Sequence, residues 1–249
     1  MKVTVITVCY NSESTIQKTL DSVASQTWSA IEHIVIDGAS RDMTLAILKR
    51  NQSQIECLVS EPDSGVYNAM NKGLQRATGD IIAFLNSDDV YANPHVLERV
   101  VNTMQEQGLD ALYGDVEFFH PNAPEKVVRT YDSGRFRPTR IAWGWMPAHP
   151  ALFVRRSVYE KFGHFREDFR IAGDYEFVAR IFHGGAMKSV HLPQVLVRMQ
   201  TGGLSTAGLK ATYLLNKEII RACRLNGITT NWPMVLTKYF FKLRERFHV

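Results

Sequence analysis

Apolar and polar positions alternate in blocks along the first ninety residues. Val3 to Val8 is a short β-branched run, followed by the polar segment Asn11-Ser12-Glu13-Ser14, which offers a cap to a helix bearing Ile16, Leu20 and Val23. The unit then repeats. Ile31 to Ile36 predicts a second strand ending at Asp37-Gly38-Ala39-Ser40, and Ser40 or Asp42 can cap a helix with Leu45, Ile47 and Leu48 on it. Ile55 to Val59 predicts a third strand, Val66 to Ala77 a third helix, and Ile81 to Leu85 a fourth strand that stops at Asn86-Ser87-Asp88-Asp89. Four strands alternating with three helices predict an α/β fold with a mainly parallel sheet, since parallel neighbours need crossovers and these cover both faces. Ligands in such sheets bind beyond the carboxyl ends of the strands. Tyr10-Asn11, Asp37-Gly38, Glu61-Pro62-Asp63 and Asp88-Asp89 each follow a strand, so all four fall on that edge.

The second half is less regular. Leu109 to Phe119 reads as strand around Tyr113-Gly114-Asp115, followed by a polar loop to Pro138 and a rigid aromatic turn, Ile141 to Pro147, before Pro150 to Val154. A helix from Ser157 to Phe162 follows. Another starts at Gly173-Asp174, with Phe177, Val178 and Ile181 on its buried side.

Composition narrows the class. With 249 residues, 45% hydrophobic and 22% charged, the chain has ordinary globular composition, and no apolar run approaches the roughly 18 residues that span a bilayer. The N-terminus reads as a first strand, not a secretory segment. Cys9, Cys57 and Cys223 are odd in number and far apart, which suggests neither a disulfide framework nor a metal knuckle and fits a cytoplasmic location. The net charge of +4 conceals an asymmetry: from Thr206 onward eight Lys or Arg face two Glu, so this end carries +6 and the rest about −2. A basic end suits an anionic surface or a solvated helix face. No nucleic-acid-binding motif accompanies it. The strands are followed by neither GxGxxG nor GxxxxGK[ST], which argues against a dinucleotide oxidoreductase and a P-loop enzyme.

Several carboxylates admit two readings each. Asp88 and Asp89 form a divalent-metal site or cap the helix predicted over Pro94 to Val101. Asp37 makes a turn or accepts a hydrogen bond from a base or ribose. Asp174 caps its helix or serves as a general base, with Glu176 as an acidic first-turn residue. His149 lines an acceptor pocket or is structural, and Trp143 stacks on a sugar or packs in the core.

Together, Thr7-Val8-Cys9-Tyr10-Asn11, Ile36 to Asp42, Ser60 to Gly73 and Leu85 to Asp89 resemble the family 2 glycosyltransferases of GT-A fold. The segment Ser60-Glu61-Pro62-Asp63-Ser64-Gly65-Val66-Tyr67-Asn68-Ala69-Met70-Asn71-Lys72-Gly73 resembles the bacterial subgroup that builds colanic acid, O-antigen and capsule units. The resemblance covers about residues 1–205 and implies one GT-A domain there, with a nucleotide-sugar half over about 1–115 and an acceptor half over about 116–205. Residues 206–249 then form a basic helical extension. It further implies donor contacts from Thr7, Tyr10, Asn11, Asp37, Asp63, Lys72 and Asp88, and Mg²⁺ or Mn²⁺ on Asp89, with Asp88 a possible second ligand. Asp174 would be the base of an inverting transfer from a nucleotide diphosphate sugar, expected to be UDP-linked. In this chain Gly173 stands where the family usually has Glu. Gln200 to Ser205 resembles a diphosphate loop, in which Gly202 and Gly203 permit close approach. The subgroup's acceptors are saccharides on polyprenyl diphosphate, which implies a cytoplasmic enzyme able to touch the inner membrane face through Tyr239 to Arg244. A nucleotidyltransferase-like enzyme and a non-catalytic carbohydrate-binding protein are the alternatives.

Overall fold

The computed structural model describes residues 1–202 and 208–245. The expected alternation is present: β1 (Val3–Cys9), α1 (Ile16–Ala24), β2 (Ile31–Asp37), α2 (Thr44–Arg50), β3 (Cys57–Ser60), α3 (Val66–Leu74) and β4 (Ile81–Phe84). These four strands are mutually parallel in the order β3-β2-β1-β4, with Cys9 level with Asp37 and Asp37 level with Ser60. The loops after them share one edge.

Period-two alternation in β1 divides the core. Ile6 and Val8 join a cluster with Tyr67, Met70 and Leu74 of α3, whereas Val3 and Val5 belong to a second cluster and Cys9 joins Ile16, Leu20, Ile47 and Leu48 of α1 and α2. Gly73 is where α3 meets β1: a Cβ there would lie 2.4 Å from Ile6 Cγ2, so any larger residue forces the helix off the sheet.

Beyond β4 the sheet is mixed. A short β5 (Asp89–Tyr91) and α4 (Val96–Glu106) lead to β6 (Ala111–His120), β7 (Ala123–Tyr131), β8 (Leu152–Arg155), α5 (Arg156–Phe162), α6 (Gly173–Phe182) and β9 (Ser189–Gln200). The sheet order continues β4-β8-β6-β9-β5, with β7 paired antiparallel to β6. Residues 123–131 are therefore a strand, not the expected polar loop. Their polarity follows from an edge position on which most side chains are exposed. The helix expected at Pro94 starts at Val96 with His95 as its cap, which leaves Asp88 and Asp89 no capping role; Asp89 opens β5 instead.

The basic C-terminal part is helical, as α7 (Leu209–Leu225) and α8 (Trp232–Glu245). It packs into the body: Ile219, Ile220, Ala222, Cys223 and Val235 lie in the same cluster as Phe177, Val178 and Ile181 of α6. No helix among the described residues is long and apolar enough to cross a membrane.

Candidate functional site

The loops at the carboxyl edge are stitched to one another by short polar side chains. Asn11 Oδ1 accepts the Arg41 amide at 2.9 Å, the Asn11 amide donates to Ser40 Oγ at 2.8 Å, and the Ser12 and Ser87 hydroxyls lie 2.8 Å apart. Asn11 (φ 49°) and Ala39 (φ 60°) both adopt left-handed backbone, a conformation that costs about 1 kcal/mol or more for a residue with a Cβ and tends to collect at functional sites. Next to these loops opens a cleft of about 380 Å³ lined by Tyr10, Gly38, Ala39, Arg41, Pro62 and Asp63. Tyr10 is 59% exposed, so the cleft offers a large aromatic face.

Asp37 is fully buried at the foot of this cleft. Its carboxylate accepts the Ser40 amide, the Ser40 hydroxyl and, at 2.6 Å, the Ser60 hydroxyl, so it ties β2, its own turn and β3 together. Asp37 thus makes the turn of its first reading, with both carboxylate oxygens taken up by Ser40 and Ser60. Thr7 has no exposed surface, and its hydroxyl lies 3.1 Å from His33 Nε2 inside the sheet. Its side chain lies inside the sheet and is not among those that line the cleft. Burial lowers the His33 pKa to about 4. Lys72 is also engaged, with Glu61 at 2.9 Å and the Pro62 carbonyl at 2.8 Å, so its ammonium anchors the loop that presents Asp63. Asp63 Oδ1 accepts the Gly65 amide at 2.9 Å, while its Oδ2 faces Gly38, where a Cβ would lie 2.4 Å away.

Asp88 is half-buried and Asp89 is 1% exposed. Burial raises the pKa of both carboxyls, and the neighbouring Asp88 charge raises Asp89 further. The Asn86 amide donates to Asp89 Oδ2 at 2.9 Å, and no ion pair to either carboxylate occurs among the described residues. A carboxyl pair disfavoured by burial and by mutual repulsion suits a divalent cation, which offsets both. A separate group with metal-ligand chemistry consists of Asp115, Asp132 and His191, whose ligand atoms lie within 4.8 Å of one another. His191 Nε2 is 2.8 Å from Asp115 Oδ1, so this group already holds itself together.

Asp174 sits in the first turn of α6, whose cap is Ala172; it is not itself the cap. Its Oδ1 accepts the Tyr67 hydroxyl at 3.1 Å and the Tyr175 amide at 2.8 Å. The same phenolic proton is shared with the Ile171 carbonyl, 2.6 Å from the Tyr67 oxygen. The residue that departs from the family pattern, Gly173, makes this possible, because a Cβ there would lie 2.8 Å from the Tyr67 ring. Tyr67 occupies the space a side chain at 173 would need. Asn71, one turn on along α3, donates to the Phe165 carbonyl and Glu167 and accepts the Phe165 amide, at 2.9 to 3.0 Å. Glu176 is buried and paired with Arg180 at 2.8 Å; it is no exposed partner of the helix dipole.

Three residues of this arrangement lay outside the sequence reading of function: Tyr67, Asn71 and Glu218. Tyr67 and Asn71 stand four apart on one face of α3, a polar pair within an apolar stripe, and that spacing was a usable signal. Glu218 carried none. From α7 its carboxylate accepts the amides of Arg170, Ile171 and Ala172 at 2.8 to 2.9 Å, the residues that lead into Gly173 and Asp174.

His149 is 9% exposed, with its ring 5.3 Å from Phe84 and 5.7 Å from Phe165. Burial lowers its pKa, against the charge of Asp174. Trp143 is 41% exposed, at the end of a 3-10 turn over Pro138–Trp143 that contacts α8. Gly202 has φ 117°, a conformation that suits glycine; Gly203 lies outside the described residues, as do the side chains of 240–245.

The sequence profile described as Glycosyl transferase family 2 matches residues 4–170. A PGL/p-HBAD biosynthesis glycosyltransferase of Mycobacterium bovis is 29% identical over 232 residues, covering 88% of this chain and 86% of that one. Among solved structures, TarS 1–349 of S. aureus superposes with a TM-score of 0.66 at 21% identity, over 89% of this chain and 65% of that chain. The mannosyltransferase PcManGT from Pyrobaculum calidifontis, in complex with GDP-Man and Mn²⁺, gives 0.66 at 20% identity, over 94% and 66%. This chain thus spans just under two thirds of the length of these structural relatives.

Proposed function

The chain belongs to glycosyl transferase family 2 and is a glycosyltransferase, and we propose that it moves a sugar, with inversion, from a nucleotide diphosphate sugar to a hydroxyl of a saccharide carried on a polyprenyl diphosphate. The observation that supports this reading best is the placement of the Tyr10, Gly38 and Asp63 cleft on the same sheet edge as the Asp88–Asp89 pair. The cleft takes the nucleoside, with Tyr10 as a stacking face, Asp63 in its wall and Asn11 holding the Arg41 amide beside it. UDP is the proposed carrier, in keeping with the UDP-GlcNAc complex of TarS. A divalent cation held by Asp89, with Asp88, would supply charge neutralisation to the departing nucleoside diphosphate. Asp174 accepts the proton of the acceptor hydroxyl as that oxygen attacks the anomeric carbon from the face opposite the leaving group, so an α-linked donor gives a β-glycoside. Lys72 and Asp37 hold the donor loops, and Tyr67 holds the base. The proposed setting is the synthesis of a surface polysaccharide or glycolipid on the inner membrane face, where the basic helices meet anionic lipid. Incubation with a panel of nucleotide sugars, with Mn²⁺ or EDTA, tests the reading. Transfer that needs the metal and yields the inverted anomer by NMR supports it, whereas retention, or full activity in EDTA, refutes it.

Two further results follow. Gly38→Ala is expected to weaken nucleotide binding roughly tenfold, about 1.4 kcal/mol, because the new methyl displaces Asp63, while the melting temperature hardly moves. Isothermal titration checks this, and unchanged affinity would place the nucleoside elsewhere. The second concerns pH. A folded carboxyl pKa raised above 3.8 means that the folded chain binds more protons than the unfolded one above that pH, so this site's contribution to stability falls as pH rises. Asp89→Asn should therefore melt higher than the wild type at neutral pH without metal. Mn²⁺ at about a hundredfold excess over its Kd should stabilise the wild type by about 2.7 kcal/mol and leave the variant unchanged. Equal Mn²⁺ shifts in both proteins would remove Asp89 from the metal site.

A further inference from the structure

Nine large apolar side chains are prominently exposed among the described residues, and five of them, Leu209, Tyr213, Leu225, Trp232 and Leu236, lie on α7 and α8. Tyr213 (60% exposed) and Trp232 (38%) stack with ring centroids 5.6 Å apart and planes 14° from parallel. The stack borders a groove of about 520 Å³ whose other walls include Lys217, Arg221 and Arg224. Arg221 is occupied by Asp168 and by the Phe169 ring. Lys217 and Arg224 are exposed and make no ion pair among the described residues, and the acid on this helix, Glu218, points inward. Helix α7 therefore packs Ile219, Ala222 and Cys223 into the core and turns Tyr213 and its cations outward, where Trp232 of α8 joins them.

Exposed rings beside cations, on a helix pair whose opposite face is already used, match an interfacial surface: the rings enter the acyl boundary and the cations meet anionic headgroups. We infer that the Tyr213–Trp232 ridge, with Lys217 and Arg224, is the surface on which this protein docks to an anionic bilayer. The inference deepens the membrane setting proposed above and moves the contact from Tyr239–Arg244 to the α7–α8 ridge. Charge complementarity selects the occupant, because α7 carries Lys210, Lys217, Arg221 and Arg224 against Glu218 as its one acid, so an anionic sheet is drawn to this face.

The test is co-sedimentation of the full chain with phosphatidylcholine vesicles and with vesicles that also contain phosphatidylglycerol. The wild type is expected to pellet with the second set only. The double variant Lys217→Glu/Arg224→Glu should bind at least tenfold more weakly, since each cation near such a surface contributes about a factor of five. Tyr213→Ser should lose most of the blue shift of tryptophan fluorescence, and Trp232→Phe should lose all of it. These side chains are exposed, and unchanged circular dichroism confirms folding. If the charge-reversed protein pellets like the wild type while the wild type still prefers anionic vesicles, the ridge is wrong and the membrane setting survives. If the wild type pellets with neither set, both fall. If inorganic pyrophosphate releases the wild type at concentrations at which sodium chloride of equal ionic strength does not, the groove is an anion pocket, which overturns the docking surface. Glycosyl transfer is not the readout, so failure of the enzymatic reading leaves this result intact.

Discussion

Asp174→Asn is expected to lower the rate of glycosyl transfer by about 10²- to 10⁴-fold, the usual contribution of a positioned general base, while leaving the fold and donor affinity in place. Asparagine keeps a side-chain oxygen where Oδ1 now accepts the Tyr67 hydroxyl and the Tyr175 amide, so neither donor is orphaned. What is lost is the ability to take a proton. Donor binding should persist because the cleft is built from Tyr10, Gly38 and Asp63, on loops of the parallel half. Single-turnover transfer and nucleotide titration separate the two quantities. A variant that retains more than about a tenth of the wild-type rate would disqualify Asp174 as the base. Tyr67→Phe removes an aiming bond and leaves the carboxylate, so its rate should fall by less, and Gly173→Glu should fall further than Tyr67→Phe because its side chain evicts the ring altogether.

The two halves of the chain differ in how much their sequence pattern reveals. The parallel half was legible because each strand is a short apolar block and each crossover helix has its own period, so order and direction follow from alternation alone. The common edge of Tyr10, Asp37, Asp63 and Asp88 followed from the same argument. Residues 123–131 were illegible for the opposite reason: an edge hairpin strand buries almost nothing and leaves no period in the sequence. Within the site, residue types were visible and their partners were not. Thr7 reads as a polar residue at a strand end, and only the neighbouring strand reveals that His33 claims its hydroxyl. Gly173 read as a departure from a family pattern. Its meaning depended on Tyr67, more than a hundred residues away, filling the vacated space. The C-terminal helices stood apart by charge, yet charge describes the outward face only, and the inward face of α7 belongs to the core.

That inward face leads to the second large effect, at Glu218. Its carboxylate is 7% exposed and accepts three consecutive amides, those of Arg170, Ile171 and Ala172, where the chain turns into α6. Two of the three precede the cap residue and the third belongs to it, so the negative charge also meets the positive end of the α6 dipole. Glu218→Ala strands these donors at about 1–3 kcal/mol each, less what entering water restores, and the expected loss of stability is about 3–5 kcal/mol. Glu218→Gln retains the shape but offers one acceptor oxygen and turns an NH₂ group toward the amides, so it should cost about half as much. Urea unfolding measures both. At a temperature where the glutamine variant is fully folded, its donor affinity should match the wild type and its transfer rate should fall about tenfold or more, because a small misplacement of Asp174 is costly. A glutamine variant that loses stability yet transfers sugar at the wild-type rate would reduce Glu218 to a structural cap. One that loses rate in parallel with Tyr67→Phe would show that α7, beyond the 4–170 span matched by the family profile, takes part in aiming the base.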